Sequence, residues 1–284
     1  MTKATTIFAL LGRSVDYSYS PFIHNEAFRQ LGLSCHYTVF NIPTPELVGD
    51  ALRGAKALGI GGFSVTIPYK KTVVPFLDEL SEEATSIQAV NTIVNAGGKL
   101  IGYNTDIAGF AAPLLPYHDS ITGTTIAIFG FGGASLAAIK AFNQLFSPKE
   151  ILLFVRDTEK AKRQVEECGY DDSVPLTILP QEQCEKIAEC RVIVNATPLG
   201  TKGRESECIV PLDRKLLHPD QIVYDMVYNP FETRLLEAAR RAGATTISGI
   251  EMLLGQAERA FRLWTGVAMP VITVREALLR EIQP

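Results

Sequence analysis

Lysine, carboxylate, hydroxyl and amide side chains recur in this chain just after short apolar runs, where an open parallel sheet presents residues to a ligand. After the run 6–11 comes Ser18-Tyr19-Ser20-Pro21, two hydroxyls at a spacing of two directly before a helix start. Ser20 could cap the helix that Pro21 opens, but a cap needs one hydroxyl and leaves Ser18 over. Thr66-Ile67-Pro68-Tyr69-Lys70 follows another apolar run, and Pro68 stops any ladder there. Lys70 then falls in the first turn of the next element, against the helix dipole; it is either a solvated surface charge or a group with a partner elsewhere. Asn91-Thr92 and Asn104-Thr105-Asp106 place asparagine in or beside strands, where it is normally depleted. Asp106 could cap a helix or offer a carboxylate to a ligand.

A second kind of chemistry is written at 126–135, IAIFGFGGAS. An apolar run ends in Gly130-Phe131-Gly132-Gly133, and apolar residues at helical spacing follow from Ala134. Glycine there permits unusual backbone angles and close approach to a pyrophosphate, while the free N–H groups of the helix start carry partial positive charge. Ser135 stands where a third glycine is usual, so the stretch by itself fits either a dinucleotide site or an ordinary strand-to-helix turn. The run ending in Asn195-Ala196-Thr197-Pro198-Leu199-Gly200 is again small and polar where a ligand would approach, and is either a loop or a site.

Positioning these groups requires strands and helices in alternation. Strands are expected at 6–11, 36–42 and 62–67, helices at 21–31, 45–58 and 69–77, and a hairpin pairs 89–95 with 99–103 around Ala96-Gly97-Gly98. After a helix over 106–115 and a break at 116–123, further strands are expected at 126–129, 151–155, 176–179, 192–195, 222–227 and 245–247. The tail, 251–264 and 273–282, reads as helix. Alternation of this kind means α/β architecture with mostly parallel sheets, and 284 residues suit two domains. A net charge of −4 without a basic run argues against a nucleic-acid partner. Five cysteines without a C-x-x-C pair suggest reduced thiols in a cytoplasmic protein, with no zinc or other metal framework. The uncharged stretch 120–139 carries four glycines and fits a strand-to-helix switch better than a membrane span.

The motifs together resemble the shikimate dehydrogenase family. They are Ser18–Pro21 with His24-Asn25, Ser64-Val65-Thr66-Ile67-Pro68-Tyr69-Lys70, Ala89-Val90-Asn91-Thr92, Gly102-Tyr103-Asn104-Thr105-Asp106, Gly130 to Ala134, the 195–200 stretch, Tyr224-Asp225-Met226-Val227-Tyr228-Asn229-Pro230, and Gly249-Ile250-Glu251-Met252-Leu253-Leu254-Gly255-Gln256. The resemblance implies an N-terminal substrate domain of residues 1–106 plus 250–284, a Rossmann-type dinucleotide domain of residues 107–249, and an active site in the cleft between them. It implies reversible NADP-dependent reduction of 3-dehydroshikimate to shikimate. By motif, Lys70 and Asp106 carry the catalysis; Ser18, Ser20 and Tyr228 hold the substrate carboxylate; Thr66, Asn91, Asp106 and Gln256 meet its hydroxyls. The cofactor falls to Gly130, Gly132, Gly133, Ala134, Arg156, Thr158, Lys160, Asn195, Thr197 and Gly249. Quinate dehydrogenation with NAD, or a nucleotide-binding regulator without chemistry, are the alternatives. Ser20 favours shikimate over the bulkier quinate, and the Lys70–Asp106 pair speaks against loss of chemistry. The implied partner is the small-molecule substrate alone, with no membrane, on a monomer or homodimer.

Several positions depart from the family pattern: Tyr17 for histidine, Ser64 for asparagine, Gln88 where glycine or a glutamate-like residue is usual, and Ile107 where glycine is common. A β-branched residue resists positive φ, so Ile107 is expected to alter the backbone carrying Asp106 if that site needs a glycine conformation. After strand 151–155 the chain reads Val155-Arg156-Asp157-Thr158, then Lys160. Arginine there accepts the 2′-phosphate of NADP, whereas an acidic residue binds the ribose hydroxyl of NAD. NADP is the expected cofactor, with NAD the alternative that Asp157 keeps open.

Overall fold

Strand β1 (Thr6–Gly12) is apolar enough to lie inside a sheet, and its last five residues are buried. In the computed structural model, which describes residues 4–16, 18–167, 170 and 173–282, it leads to α1 (Ser20–Gln30), β2 (Cys35–Asn41), α2 (Val48–Leu58), β3 (Gly62–Val65), β4 (Glu79–Leu80), α3 (Glu82–Ile87) and the hairpin β5 (Thr92–Ala96) and β6 (Lys99–Tyr103). These strands form one six-stranded sheet in the order β2-β1-β3-β5-β6-β4. The β1–β2, β1–β3 and β4–β6 pairings are parallel, and β3–β5 and β5–β6 are antiparallel. The carboxyl ends of β1, β3 and β6 and the amino end of β5 therefore share one edge of the sheet.

Three elements differ from the periodicity. The helix expected over 69–77 does not form: Val73 N–H reaches Tyr69 O to close one turn, but Pro75 has no N–H to continue it, and the chain passes into a 3-10 turn at Val74–Phe76. Conversely, α3 forms where no helix is expected. Ser81 Oγ accepts the Ala84 N–H as its N-cap, and Glu82 and Glu83 complement the dipole in its first turn. The helix stops at Gln88, whose φ of 48° is left-handed. That conformation costs an L-residue roughly 1 kcal/mol, part of which a glycine would return through its freer unfolded chain. Gln88→Gly is accordingly expected to raise the melting temperature by about 1–2 °C; calorimetry checks it, and a fall would contradict the assignment of strain. The break expected at 116–123 is partly helical as well, a 3-10 segment Ala112–Tyr117 running into a short helix.

Helix α4 (Asp106–Ala111) leads into the second unit, which continues through α5 (His118–Ile121), β7 (Thr125–Phe129), α6 (Gly133–Leu145), β8 (Glu150–Val155), α7 (Thr158–Glu167), β9 (Leu176–Pro180), β10 (Val192–Asn195), β11 (Ile222–Asp225), α8 (Arg234–Arg241) and β12 (Thr245–Ser248). Its sheet is parallel throughout, in the order β12-β11-β10-β7-β8-β9. This is the doubly wound Rossmann order, reversing direction between β7 and β10, where such sheets bind ligands. Strands buried on both faces need continuous apolar sequence, and β7, β8, β10 and β11 supply it, with Phe129 stacked on Phe154 at 4.9 Å in the core.

The chain ends with α9 (Gly249–Thr265) and α10 (Val271–Ile282). Compact packing assigns residues up to Asp106 and from Gln256 onward to the first unit, and Ile107–Gly255 to the second. Trp264, near the end of α9, donates Nε1–H to Ile93 O at 3.0 Å, an approach that Gly62 permits by lacking a side chain. Among the described residues no helix is long and apolar enough to cross a membrane.

Candidate active site and cofactor loop

In the first unit the shared edge of the sheet gathers the residues singled out by type. Lys70, in the turn after β3, donates from Nζ to Asp106 Oδ2 at 2.5 Å. Asn91, just before β5, donates from Nδ2 to Asp106 Oδ1 at 2.7 Å and to Thr105 Oγ1 at 3.0 Å, while its Oδ1 accepts the Thr105 N–H at 2.8 Å. Asn104 Oδ1 accepts the Asp106 N–H at 3.1 Å, so the turn into α4 is made by Asn104. Asp106 is the first helical residue, and its carboxylate is left for Lys70. The Lys70 side chain keeps 25% of its surface exposed and Asp106 11%, so the pair is sheltered yet reachable from outside. A charge-assisted bond between them, anchored through a buried amide, fixes the direction of the ammonium.

The hydroxyl pair lies after β1. Ser18 donates its hydroxyl to Ser20 Oγ at 3.2 Å and accepts the Ser20 N–H. Ser20 is not the cap expected from Pro21: α1 begins at Ser20 itself with Tyr19 in the cap position, because proline is tolerated anywhere in the first turn. Thr66 N–H donates to Leu11 O at 3.0 Å and Arg13 N–H to Ile67 O at 3.4 Å, which ties the loops after β1 and β3 together. Gln256 sits half-buried on α9 in the same unit.

Other motif residues prove to be framework. His24 is fully buried and stacked on Tyr37 at 4.5 Å; burial pushes its pKa down to about 3, so it is neutral. Asn25 exchanges two 2.8 Å bonds with the Tyr37 backbone and docks α1 on β2. Ser64 is buried on β3, where its hydroxyl faces the buried Tyr37 phenol. Ile107 is buried in α4 and is absent from the left-handed positions, which among described non-glycine residues are Ser14, Gln88 and Ser147. The conformational burden anticipated at Ile107 falls on Gln88 instead. Tyr17 lies outside the described residues.

In the second unit, the turn between β7 and α6 stands at the reversal of strand order. Gly130 has φ 88°, and a Cβ on it would lie 2.7 Å from Thr197 Cγ2, so both its conformation and its neighbour demand glycine. Gly132 and Gly133 differ. Neither has a left-handed φ, both are exposed, and a Cβ on either would meet nothing. Nothing in the protein requires glycine there, whereas a pyrophosphate lying close over the backbone would. Ser135, buried at the third position, donates to Gly130 O at 2.7 Å and accepts the Gly132 N–H at 3.3 Å, so it braces the turn that a glycine would only leave room for. Ala134 occupies the first turn of α6.

After β8, Arg156 and Lys160 are exposed, and their side chains make no hydrogen bond or ion pair among the described residues. Asp157 Oδ1 accepts the Lys160 N–H at 2.9 Å and so caps α7, next to half-buried Thr158. The free cations fit a 2′-phosphate, and the acidic residue is engaged by the helix. Gly249 has a reason of its own, since a Cβ would come within 2.4 Å of Met226 O.

Asn195 and Thr197 lead to a buried carboxylate at the end of β11. Asp225 ends β11 in register with Asn195 at the end of β10, and both are fully buried. Asp225 Oδ1 accepts Asn195 Nδ2–H at 2.9 Å and the Val227 N–H at 3.1 Å; Oδ2 accepts the Thr233 hydroxyl at 2.6 Å. Burial pushes the carboxyl up to about 6 against the opposing pull of these donors. The detectable signal was an aspartate inside an apolar strand, where it must be hydrogen-bonded.

Comparison with known proteins follows these features along the chain. A family profile for the shikimate dehydrogenase substrate binding domain matches residues 10–93, and one for the shikimate 5′-dehydrogenase C-terminal domain matches residues 249–279. A shikimate dehydrogenase (NADP+) of Pelodictyon phaeoclathratiforme is 70% identical over 283 residues, covering 100% of both chains. The crystal structure of shikimate 5-dehydrogenase from Listeria monocytogenes, in complex with shikimate and NAD, superposes with a TM-score of 0.87 at 35% identity over 96% of each chain. A shikimate dehydrogenase in complex with NADP+ superposes with a TM-score of 0.88 at 35% identity, covering 99% of this chain and 96% of the other.

Proposed function

The chain belongs to the shikimate dehydrogenase family, and on that premise we propose that it reduces 3-dehydroshikimate reversibly to shikimate with NADPH. The observation that carries the reading is the Lys70–Asp106–Asn91 hydrogen-bonded chain at the ligand-facing edge of the first sheet. NADPH, when bound, supplies the hydride to the ketone carbon. Lys70 stands as the acid for the oxygen on which negative charge develops, and in the reverse direction it takes the hydroxyl proton back. Asp106 holds the Lys70 ammonium in direction and accepts from a substrate hydroxyl; Asn91 donates to Asp106. Ser18 and Ser20, with Tyr228, receive the substrate carboxylate, and Thr66, Asn91 and Gln256 meet its hydroxyls. Residues up to Asp106 and from Gln256 onward act as the substrate domain, and the Rossmann unit acts as the cofactor domain.

On the cofactor side, Gly130, Gly132, Gly133 and Ala134 form the pyrophosphate turn, with Thr197 packed beneath it and Gly249 shaping the backbone after β11. Arg156, Thr158 and Lys160 select the 2′-phosphate. A charge-assisted hydrogen bond of this kind is worth about 1.5–3 kcal/mol. Arg156→Ala is therefore expected to lower kcat/KM with NADPH by roughly 10- to 100-fold while changing the NADH value little. Steady-state kinetics with both cofactors tests this, and an equal loss with both would remove Arg156 from the selection.

A further inference from the structure

The polar network under the second unit's proposed cofactor loop is built around one carboxylate that the proposed chemistry does not use. Asp225 is 0% exposed and bonded to three separate segments. Through Asn195 it reaches the loop after β10: Asn195 Oδ1 accepts both the Thr197 N–H at 3.1 Å and its hydroxyl at 2.6 Å, and Thr197 Oγ1 in turn accepts the Leu199 N–H at 3.2 Å. Asn195 Nδ2 also donates to Leu199 O at 3.2 Å, so every polar atom of that side chain is used inside the protein. Through the Val227 N–H the carboxylate fixes the loop after β11, one residue before Tyr228. Through Thr233, whose Oγ1 accepts the Leu236 N–H, it fixes the start of α8.

The first arm ends at the glycine turn. Thr197 Cγ2 occupies the space a Gly130 side chain would need, so the position of Thr197 sets the floor against which the Gly130 backbone rests. The second arm ends at Val227, the chain neighbour of the residue assigned to the substrate carboxylate. We propose that Asp225 is a positioning residue that sets the cofactor loop and the Tyr228 loop in one register, so that dinucleotide affinity and substrate affinity depend on the same buried group. Asn195 is then the link to the cofactor loop and makes no contact of its own with the dinucleotide.

This inference rests on the proposed function, and its test separates the two. Dissociation constants for NADPH by fluorescence titration and KM and kcat for shikimate are measured on the full-length protein, on Asp225→Asn and on Asn195→Ala. Ser81→Ala, which removes the N-cap of α3 in the first unit, serves as a control for general destabilisation. Loss of one buried hydrogen bond corresponds to roughly a 5- to 10-fold change in an equilibrium constant. Asn195→Ala is expected to weaken NADPH by about that factor with KM for shikimate unchanged. Asp225→Asn cannot accept the Thr233 hydroxyl at its amide nitrogen, and is expected to weaken NADPH and raise KM for shikimate together, with kcat less affected. Ser81→Ala is expected to lower the melting temperature with no change in either constant. The inference is overturned if Asn195→Ala and Asp225→Asn bind NADPH as the parent does, if Asp225→Asn leaves KM for shikimate unchanged, or if Ser81→Ala shifts the constants equally. Should Asp225→Asn fail to fold, the Asn195→Ala constants decide between the outcomes. A parent protein that binds no NADPH or oxidises no shikimate would instead refute the proposed function.

Discussion

Lys70→Ala is expected to lower kcat by roughly 10²-fold or more, the usual consequence of losing a positioned acid, with a smaller change in KM. The geometry makes the substitution clean. Lys70 lies in an irregular turn where alanine is tolerated, and part of its side chain is solvent-exposed, so no large cavity opens. Asp106 loses one partner but keeps the Asn91 amide, so the carboxylate stays where it is. Circular dichroism and an unchanged NADPH dissociation constant would show the fold and cofactor site intact, leaving the rate as the readout. A variant with near-normal kcat would remove Lys70 from the chemistry.

Gly132→Val is expected to leave folding nearly untouched and to weaken NADPH by roughly 10²-fold or more, because a branched side chain would exclude the pyrophosphate from the backbone N–H groups at the start of α6. Gly132 has φ −156° and ψ −168°, extended backbone that valine adopts readily, and its Cβ would point into open space. The loss at this helix-cap position is at most about 1 kcal/mol. Thermal melting and a fluorescence titration separate the two effects. Gly130 gives the opposite pattern, since any side chain there must clash with Thr197 before a ligand arrives. Normal NADPH affinity in Gly132→Val would mean that the turn does not cradle the dinucleotide.

Sequence periodicity carried the fold wherever both the spacing and the punctuation were unambiguous. The apolar runs at 126–129 and 192–195, short and bounded by turn residues, read as buried strands, and the structure has β7 and β10 there. Periodicity misled at 69–77, where apolar spacing outweighed Pro75, and at 82–87, where a short polar helix has little apolar spacing to show and is held by its Ser81 cap instead. Strand order could not be read from spacing at all, because pairing β7 with β10 joins segments whose intervening chain forms two other strands. The pairing of Lys70 with Asp106, 36 residues apart, came from family motifs, since neither residue type announces the other. Asp225 falls inside a family motif that gives it no role. Its meaning depends on register with Asn195 across two strands, which a one-dimensional pattern does not contain.

The measurement that bears most directly on the whole account is the initial rate of the purified protein with shikimate and with quinate, each offered NADP+ and NAD+, followed by nicotinamide absorbance. The Lys70–Asp106 pair, Ser20 and Arg156, unpaired among the described residues, together predict that shikimate with NADP+ gives the highest kcat/KM of the four. A higher value for quinate with NAD+, or no reduction of cofactor in any combination, would contradict it.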